Sequence, residues 1–502
     1  MRPVSFRWHF FAERTFPMPA FQLLNFGCRA SQADGAAIKK QLLESGLREA
    51  EDIAESQVAI LNTCTVTATA DAEIRQLVRR IHRANPECRI LVTGCYAQRS
   101  PAEIAQLEGV AWIVGNSHKH LISDLLRSSL HPISQEPEKT LFRPEARVKG
   151  HESEPTGLNQ LVQIQERATE SLTSAEAFSS GHDSGQSPEH PTVLVGEITE
   201  EFHFAPVFAE DRTRPTLKIQ DGCNARCSFC VIPSVRGRSR SLAPGKVAEQ
   251  VRELEQEGYQ EIVLSGINLG SYGRDLDPRI SFLGLLERLL KETAIARLRI
   301  SSIEPMDVSP RLIRLVAQEP RMARHFHIPL QSGCDRILRL MNRRYWTSQY
   351  AERILAIREQ MPDAGIGADV MAGFPGETDQ DHAASASFIE SLPLTYLHVF
   401  PFSARPDTPA ATSLRQVNGR VAHERGREIR SLAARKRQAF LDAQIGHKLS
   451  AVTLDEFEAG GPVALSSNYL KIVLPGSNLP PNTLLDIHVG RVHEGLLFGF
   501  PA

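Results

Sequence analysis

The strongest constraint on the fold is an alternation of short apolar runs with helical patterns between residues 214 and 402. Its candidate strands are TLKIQ (216–220), EIVLSG (261–266), RLRISS (297–302), HFHIPL (325–330), GADVMA (367–372) and YLHVFPF (396–402). Segments of helical spacing separate them, such as 244–257, 281–292 and 348–360. Repeated strand–helix units of this kind predict a (βα)6 partial barrel.

A second alternation occupies residues 19–130. Its candidate strands are FQLLNF (21–26), QVAILN (57–62), RILVT (89–93) and VAWIVG (110–115). Apolar residues at helical spacing lie between them, in 34–48 and 71–84. The pattern predicts parallel βαβ units and an open sheet, so the chain as a whole is expected to be an α/β protein.

The remaining segments differ in composition. Residues 131–212 include SLTSAEAFSSGHDSGQSPEHP (171–191) and are expected to form a partly disordered insertion or linker. A basic helical stretch, 420–440, precedes a tail, 445–500, whose short alternating strands indicate a small β-barrel. The predicted domains are therefore 19–130, 213–440 and 441–502, with the insertion at 131–212. Residues 1–17 look detached, and either Met1 or Met18 can be the start.

Charge and hydropathy narrow the location and the partners. The net charge is −2, from 57 Lys and Arg against 59 Asp and Glu, so any nucleic-acid contact must come from local patches. No apolar run is long enough to span a bilayer, and the first residues show no secretory pattern. We therefore expect a cytoplasmic protein, in which the 8 cysteines serve metal binding or catalysis.

A compact cysteine triad follows the first strand of the predicted barrel. The stretch CNARCSFC contains Cys223, Cys227 and Cys230 in a C-x3-C-x2-C spacing. Three thiolates around an iron–sulfur cluster leave one iron open to a further ligand. Structural zinc is the alternative, but it favours four ligands in close pairs, and no fourth Cys or His lies nearby. The carboxyl end of a barrel strand is also where catalytic groups lie.

A dispersed triad emerges from the predicted sheet. Cys28, Cys64 and Cys95 each follow one of its first three strands directly. The carboxyl ends of parallel strands share one edge, so these thiols are expected to converge. Each stands beside a small residue that lets a bulky ligand approach, namely Gly27, Thr63 and Gly94. The alternative is three unrelated buried cysteines.

Two open clusters would suit a reaction that needs both a radical initiator and a sulfur donor. This hypothesis follows from the residues alone. The remaining Cys88 and Cys334 fit neither triad and are expected to be structural or incidental.

Over about 20–130 and 214–500 the chain resembles the radical S-adenosylmethionine (radical-SAM) methylthiotransferases. The stretches that carry the resemblance are NFGCRASQ, LNTCTVT, TGCYAQ, IQDGCNARCSFCVIPSVRGRSRS, LSGINLGSYG, SSIEP, HIPLQSGCDRILRLMNRRY, GADVMAGFPGET and LHVFPFSARPDTPA. The runs YLHVFPFSARPDTPAA and VIPSVRGRSRS most resemble the branch that acts on threonylcarbamoyladenosine in tRNA. One departure is Ser31, where the family usually has Asn.

The resemblance implies a cofactor set and a reaction. Cys223, Cys227 and Cys230 would hold a [4Fe-4S] cluster that binds S-adenosylmethionine, whose cleavage gives a 5′-deoxyadenosyl radical. That radical takes hydrogen from C2 of N6-threonylcarbamoyladenosine at position 37 of tRNA. Another [4Fe-4S] cluster on the dispersed triad would carry the inserted sulfur, which a second S-adenosylmethionine methylates.

Further site residues are expected at the strand ends of the barrel. The predicted cofactor-binding residues are Gly266, Asn268, Ser302, Glu304, Gln331, Ser332 and Asp369. The alternative for each is a polar group that satisfies a turn or caps a helix.

RNA contact requires positive charge and exposed aromatic or polar groups. The predicted RNA-binding residues are Arg236, Arg238, Arg240, Arg343 and Arg344. For the cluster Arg435, Lys436 and Arg437 a solvated helix face is favoured instead. The β tail resembles the TRAM domain, an OB-like RNA-binding barrel, with a stabilising appendage as the alternative.

The resemblance also implies partners. These are the tRNA anticodon stem-loop, an electron donor such as flavodoxin or ferredoxin, and a sulfur donor, with no membrane association and a monomeric state. Competing interpretations are methylthiolation of isopentenyladenosine in tRNA or of a ribosomal-protein aspartate. A non-catalytic, metal-stabilised RNA-binding protein would explain the β tail and the basic patches, but not two open cysteine triads.

Overall fold

The computed structural model describes residues 18–130, 190–198, 213–412 and 415–502. The chain divides into a large compact unit, Met1–Arg127 with Pro191–Ala502, and a second unit, Ser128–His190. Of the second unit, residues 128–130 and 190 are described. The segment 1–17 and most of the predicted insertion, 131–212, lie outside the described residues.

The amino-terminal part is built on a parallel six-stranded sheet. Its strands are β1 Ala20–Asn25, β2 Arg48–Glu49, β3 Val58–Thr63, β4 Arg89–Gly94, β5 Val110–Val114 and β6 Thr192–Leu194. They lie in the order β2-β1-β3-β4-β5-β6. The predicted open α/β sheet is confirmed. β6 lies inside the segment that was predicted to be a linker. The sequence did not predict this strand, because three residues are too few to show a strand period.

Five helices belong to the residues of this part that the structure describes. They are α1 Arg29–Glu44, α2 Ala68–Ala84, α3 Cys95–Arg99, α4 Pro101–Ile104 and α5 Ile122–Leu130. α2 begins where the Thr67 side chain accepts the Ala70 N–H, and Ile74 and Val78 pack on the sheet. α1 begins earlier than the predicted residue 34. Its first two turns bury polar Ser31 and Asp34, so no apolar period marks the start of the helix.

The central part contains a partial barrel. Its strands are β7 Thr216–Asp221, β8 Arg240–Ser241, β9 Glu261–Gly266, β10 Arg297–Ile300, β11 His325–His327, β12 Gly365–Ala372 and β13 Tyr396–Pro401. Parallel ladders join β10-β9-β7 and β11-β12-β13, and the Ser302–His327 bridge connects the two ladders. β8 is an additional antiparallel edge strand. The six predicted strands therefore form the predicted (βα)6 partial barrel.

Helices lie between and after these strands, and most of them cover the outside of the barrel. They are α6 Ile232–Arg236, α7 Pro244–Gln256, α8 Phe282–Glu292, α9 Pro310–Gln318, α10 Asp335–Leu340, α11 Thr347–Gln360, α12 Asp379–Ser391, α13 Pro409–Thr412 and α14 Gly419–Asp442. Short 3-10 helices are Ile53–Glu55, Lys119–Leu121, Leu269–Ser271 and Pro305–Asp307. Leu217 and Ile219 join the outer core with the helices, so the alternate residues Lys218 and Gln220 face the barrel interior.

The carboxyl-terminal part is a closed five-stranded barrel. Its strands are β14 Lys448–Glu458, β15 Gly461–Ser466, β16 Lys471–Val473, β17 Leu484–His493 and β18 Leu496–Pro501, in the order β14-β15-β16-β18-β17. Closure removes the exposed strand edges that a small open sheet would present. The Asn468 side chain donates to the Asp363 carbonyl at 2.9 Å, which connects this barrel to the segment just before β12. The predicted small β-barrel is confirmed.

Every helix in the described ranges is too short or too polar to cross a bilayer.

Candidate active site

The first cysteine triad lies in the loop between β7 and α6. Its three thiols, Cys223, Cys227 and Cys230, are half-buried. The Ala225 N–H donates to Cys223 Sγ at 3.4 Å, and the Ile232 N–H donates to Cys230 Sγ at 3.5 Å. Burial raises the pKa of Cys230 to about 12, and the neighbouring Cys227 and Cys223 add to this rise. Cys227 and Cys223 thus lie close enough to Cys230 to raise its pKa.

A cleft of about 420 Å³ opens beside this triad. Arg343 in its wall donates to Cys227 Sγ at 3.4 Å and forms an ion pair with Glu304. Asn268 Nδ2 donates a hydrogen bond to Cys223 Sγ at 3.7 Å. Burial raises the pKa of Glu304, and the Arg343 charge opposes this rise. The cleft thus brings a guanidinium, a carboxylate and an amide to the edge of the triad.

Three of the predicted cofactor residues lie at this cleft. Asn268 and Glu304 line it, and Gly266 lies just behind. A Cβ on Gly266 would lie 2.9 Å from Gln220 Oε1, the atom that accepts the Asn268 N–H at 2.8 Å. Gly266 therefore permits the close packing that fixes Asn268. That these residues bind a cofactor stays a prediction.

Two other predicted residues form a separate cluster in the barrel interior. Ser302 Oγ lies 2.6 Å from Nδ1 of His327, and Asp369 Oδ1 lies 3.3 Å from the other ring nitrogen. His327 also contacts the His398 ring, with centroids 5.4 Å apart. Ser302 and Asp369 therefore meet through a histidine that the sequence analysis did not single out.

The last two predicted residues satisfy a turn after β11. Gln331 has φ +66°, and its main chain pairs with Asp369 and Met371. Ser332 Oγ accepts the Cys334 N–H at 3.2 Å. The Ser332 contact matches the alternative of a satisfied turn, whereas the buried Oε1 of Gln331 has no hydrogen-bond partner among the described residues. Cofactor binding by these two residues stays a prediction.

The second triad converges at the carboxyl edge of the amino-terminal sheet. Cys28 precedes α1, Cys64 follows β3 and Cys95 begins α3. Burial raises the pKa of Cys64 to about 11, with Cys95 and Cys28 adding to the rise. Gly27 has φ +99°, and a Cβ there would lie 2.9 Å from Cys64 Sγ. The predicted convergence of these strand ends is therefore seen.

Polar groups contact the sulfurs of the second triad as well. Ser31 Oγ lies 3.7 Å from Cys28 Sγ, and Asn116 Nδ2 donates to Cys95 Sγ at 3.5 Å. Cys64 accepts a main-chain hydrogen bond from the N–H two residues further along. Ser31, the departure from the family, is thus directly beside a triad sulfur. Hydrogen bonds to sulfur are a usual feature of iron–sulfur sites.

The short helix α6 joins the two triads. It begins two residues after Cys230. Val231 just before the helix and Val235 within it pack against Cys95 of the other triad. Asn116 Nδ2 donates to the Val235 carbonyl at 2.7 Å as well as to Cys95 Sγ. Both triads therefore contact one five-residue helix.

Arg236, at the end of α6, is buried in this junction and 1% exposed. Its guanidinium donates to Asp221 at 3.0 and 3.1 Å, to Asp34 at 3.1 Å and to Ser31 at 3.2 Å. The prediction that Arg236 contacts RNA is wrong, because the helix directs the side chain into the junction.

The other predicted RNA-binding arginines divide into two groups. The Arg343 side chain is 7% exposed and lies in the cleft wall, where it pairs with Glu304, and RNA contact by Arg343 stays a prediction. Arg238 and Arg344 are exposed, whereas Arg240 is half-buried and donates to the Arg236 carbonyl at 2.9 Å. RNA contact by Arg238, Arg240 and Arg344 stays a prediction.

A buried arginine that the sequence analysis missed lies beside the second triad. Arg405 is 2% exposed, donates to Thr65 Oγ1 at 2.9 Å and forms an ion pair with Asp71. Arg99 binds the same two groups, at 2.9 and 2.7 Å. Thr65 directly follows Cys64. The sequence offered one signal that could have pointed to Arg405, because this arginine lies in LHVFPFSARPDTPA, a stretch that resembles the family.

The spacing of the thiols bears on which metal group fits. In the part of the chain that the structure describes, no three His, Cys, Asp or Glu side chains are grouped around a single-ion position. A four-iron cube is wider than one ion, so its thiolates stand further apart. The choice between a cluster and zinc rests on the donor set, because each triad offers three thiols, whereas structural zinc takes four ligands.

Comparison with known proteins gives two family matches. Residues 217–389 match the Radical SAM superfamily, and residues 20–115 match an uncharacterized protein family, UPF0004. The first match spans the partial barrel with its triad, and the second spans the sheet with the dispersed triad. Fold and matches together define an enzyme of the radical-SAM superfamily.

Two curated relatives narrow this class, and one solved structure is similar at a lower level. The chain is 34% identical to the threonylcarbamoyladenosine tRNA methylthiotransferase MtaB of Aquifex aeolicus, over 91% of this chain and 96% of that protein. It is 31% identical to the tRNA-2-methylthio-N(6)-dimethylallyladenosine synthase of Pelotomaculum thermopropionicum, over 81% and 80%. The radical S-adenosylmethionine methyltransferase TsrM of Kitasatospora setae matches at TM-score 0.48 and 15% identity, over 78% and 74%. The chain belongs to the family of radical-SAM tRNA methylthiotransferases.

Membership fixes the cofactors. Radical-SAM enzymes use S-adenosylmethionine with a [4Fe-4S] cluster, and methylthiotransferases carry two such clusters. Two cysteine triads in the described residues match that number.

Proposed function

We propose that the protein inserts a methylthio group at C2 of N6-threonylcarbamoyladenosine at position 37 of tRNA. The observation that carries the proposal is the contact of both cysteine triads with α6, which places two prospective clusters at one junction. A reaction that inserts sulfur through a radical requires such proximity. The relative from Aquifex aeolicus bears the name of this activity over nearly its whole length.

We assign Cys223, Cys227 and Cys230 to the cluster that binds S-adenosylmethionine. The assignment is supported by N–H donors on the sulfurs and by the adjoining cleft. The same reasoning assigns the second cluster to Cys28, Cys64 and Cys95, whose sulfurs have their own polar contacts.

The cleft beside Cys227 suits the amino-acid end of S-adenosylmethionine. Arg343 offers a cation to a carboxylate, and Glu304 offers an anion to an ammonium. Asn268 Oδ1 is buried without a hydrogen-bond partner in the described residues and is free to accept. These side chains would orient the cofactor and exclude water. The bound cofactors supply radical generation and sulfur, while the protein supplies placement.

RNA binding is assigned to the carboxyl-terminal barrel and to the exposed Arg238 and Arg344. Phe457 on β14 is 74% exposed, and an exposed aromatic ring is a platform for base stacking. The anticodon stem-loop is the partner, which places the protein in the cytoplasm. An electron donor such as flavodoxin or ferredoxin, a sulfur donor and a monomeric state complete the proposal.

Nucleoside mass spectrometry tests substrate and reaction together. tRNA from a strain that lacks the enzyme should contain threonylcarbamoyladenosine without its 2-methylthio derivative, and expression of this chain should restore the derivative. A chain in which Cys64 is replaced by Ala should not restore it. Restoration of methylthio-isopentenyladenosine instead would move the protein to the other branch. Absence of 5′-deoxyadenosine formation from S-adenosylmethionine under reducing conditions would favour the non-catalytic alternative.

A further inference from the structure

Arg29 reaches from the second triad into the interior of the partial barrel. It is the first residue of α1 and directly follows Cys28. Its Nη2 donates to the Tyr469 hydroxyl at 3.0 Å. Tyr469 belongs to the connection between β15 and β16 and stacks on His325 of β11, with ring centroids 4.4 Å apart. The guanidinium of Arg29 therefore lies between the sheet, the partial barrel and the small barrel.

Several rings near Arg29 in the barrel interior are neutral. Burial lowers the pKa of His398, and the charges of His327 and Arg29 lower it further. The pKa of His325 is also lowered, first by burial and then by cations that include Arg29. Burial raises the pKa of Tyr396, which therefore stays un-ionised. Arg29 is thus a fixed positive charge beside these rings, and the pocket that it lines also contains Arg214, Asp455 and Glu456.

Other cations of the barrel interior have carboxylate partners. Lys218 is paired with Asp34 and Asp221, and Arg299 is paired with Glu261. Arg29, in contrast, has no carboxylate within ion-pair distance among the described residues. Its recorded contacts are the hydrogen bond to Tyr469 and the face of that ring, 5.9 Å from the centroid. A guanidinium has five N–H donors, so most of its capacity is unused.

The start of α1 adds to the attraction for an anion. Its first turn contains no acidic residue, and no side chain caps its N-terminus. Free N–H groups and the helix dipole make this end positive. The charge of Arg29 and the helix end lie together, one residue from Cys28.

We propose that Arg29 binds the carboxylate of the threonylcarbamoyl group on the substrate adenosine, and so selects this substrate over adenosines with apolar N6 substituents. The inference rests on the proposed function. A guanidinium pairs with a carboxylate through two parallel hydrogen bonds. A dimethylallyl group carries no charge, so it would leave the half-buried Arg29 without a counter-ion. Such an unpaired polar group is a strong basis for discrimination.

The test compares two synthetic anticodon stem-loops. One carries the threonylcarbamoyl group with its free carboxylate, and the other carries the same group as a carboxamide. We measure the Kd of each for the holoenzyme and the kcat/KM of methylthio formation. Wild-type enzyme should prefer the carboxylate by about 10- to 100-fold, the range of a charge-assisted hydrogen bond. Arg29→Gln should lose this preference, and Arg29→Lys should keep part of it.

Two further variants separate recognition from structure. Lys40→Gln removes a cation from the same helix, where Lys40 pairs with Glu44 at 3.9 Å, and should keep the full preference. Tyr469→Phe removes the hydroxyl that holds Arg29 but leaves its charge, so the carboxylate should still be preferred. If Arg29 only stabilises the contact between the domains, Arg29→Gln and Tyr469→Phe will weaken the binding of both stem-loops equally.

The outcomes distinguish the inference from the proposed function. Iron content and 5′-deoxyadenosine formation without RNA establish that Arg29→Gln is folded and loaded. An Arg29→Gln enzyme that still prefers the carboxylate overturns the role of Arg29, while the proposed function stands. A wild-type enzyme that methylthiolates only a dimethylallyladenosine stem-loop overturns the proposed function itself.

Discussion

Arg236 donates a 3.2 Å hydrogen bond to Ser31, whose Oγ lies 3.7 Å from the sulfur of Cys28. The arginine ends the helix that follows the compact triad, and the serine lies in the first turn of the helix that follows the dispersed triad. Because Arg236 also binds Asp221, two residues before Cys223, one side chain connects the loops of both triads.

Asp34 is the acidic centre of this junction, and we predict that Asp34→Asn destabilises it. Burial raises the pKa of Asp34, but Lys119, Lys218 and Arg236 hold it well below its usual range. The substitution leaves these buried cations with one carboxylate, Asp221. Removal of one member of a buried ion pair costs about 3–5 kcal/mol. Thermal unfolding followed by calorimetry should show a clearly lower midpoint.

Asp124→Asn is the matched control for Asp34→Asn. Asp124 forms an exposed ion pair with Arg127 at 3.2 Å, and exposed pairs of this kind contribute about 0–1 kcal/mol. The thermal midpoint of Asp124→Asn should stay close to that of the wild type. Equal midpoints for the two variants would contradict the role assigned to Asp34.

Alanine in place of any triad cysteine should remove one cluster and spare the other. Reconstituted wild-type chain should contain about eight irons, four for each cube. Cys64→Ala and Cys230→Ala should each contain about four, and the double variant close to none. Iron and sulfide analysis gives the numbers, and electron paramagnetic resonance shows which cluster remains.

Cys88 and Cys334 provide controls with the same chemistry outside the triads. Cys88 is buried in the core of the amino-terminal sheet, and Cys334 contacts Asp381 at 3.3 Å. Cys88→Ala and Cys334→Ala should keep the full iron content. Loss of iron in either variant would show that the replaced cysteine is a cluster ligand and that the assigned triads are wrong.

The fold was largely predictable because the barrel strands have one apolar face. EIVLSG was predicted at 261–266, and β9 has the same bounds, since Ile262 and Leu264 pack under the helices. β2, β6 and β8 have two or three residues each, too few for a period to appear. The start of α1 was missed because Ser31 and Asp34 bury polar groups instead of apolar ones.

The candidate site was predictable where topology alone decides it. Parallel strands bring Cys28, Cys64 and Cys95 to one edge, whatever the side chains between them. Arginine roles depend instead on partners that are remote in sequence. Arg405 pairs with Asp71, 334 residues away, and Arg29 meets Tyr469, 440 residues away. No local pattern separates such arginines from surface ones, which is also why Arg236 was assigned to RNA.

We predict that Gly27→Ala disrupts the dispersed triad through a steric clash. A methyl group there would lie 2.9 Å from Cys64 Sγ, on a backbone with φ +99°. The expected result is loss of about half of the iron, with the compact triad still loaded. Gly46→Ala is the control, because Gly46 also has positive φ (+83°) but has no atom within 4 Å of the added methyl group. Its iron content should be unchanged, which separates the clash from backbone strain.

Glu261 should make stability depend on pH in the acid range. Burial raises its pKa, but the charges and hydrogen bonds of Arg299, with Arg214 and Arg297, lower it from 4.5 to about 2. A carboxylate with a depressed folded-state pKa stabilises the fold above its unfolded value and loses this contribution as the pH falls through the folded value. Above pH 4.5, the thermal midpoint of Glu261→Gln should therefore lie well below that of the wild type. The gap between the two midpoints should narrow as the pH falls toward about 2. The control Glu287→Gln removes an exposed partner of Arg311 and should show only a small gap at every pH. A gap for Glu261→Gln that stays constant across this range would mean that the three arginines do not depend on the charge of Glu261.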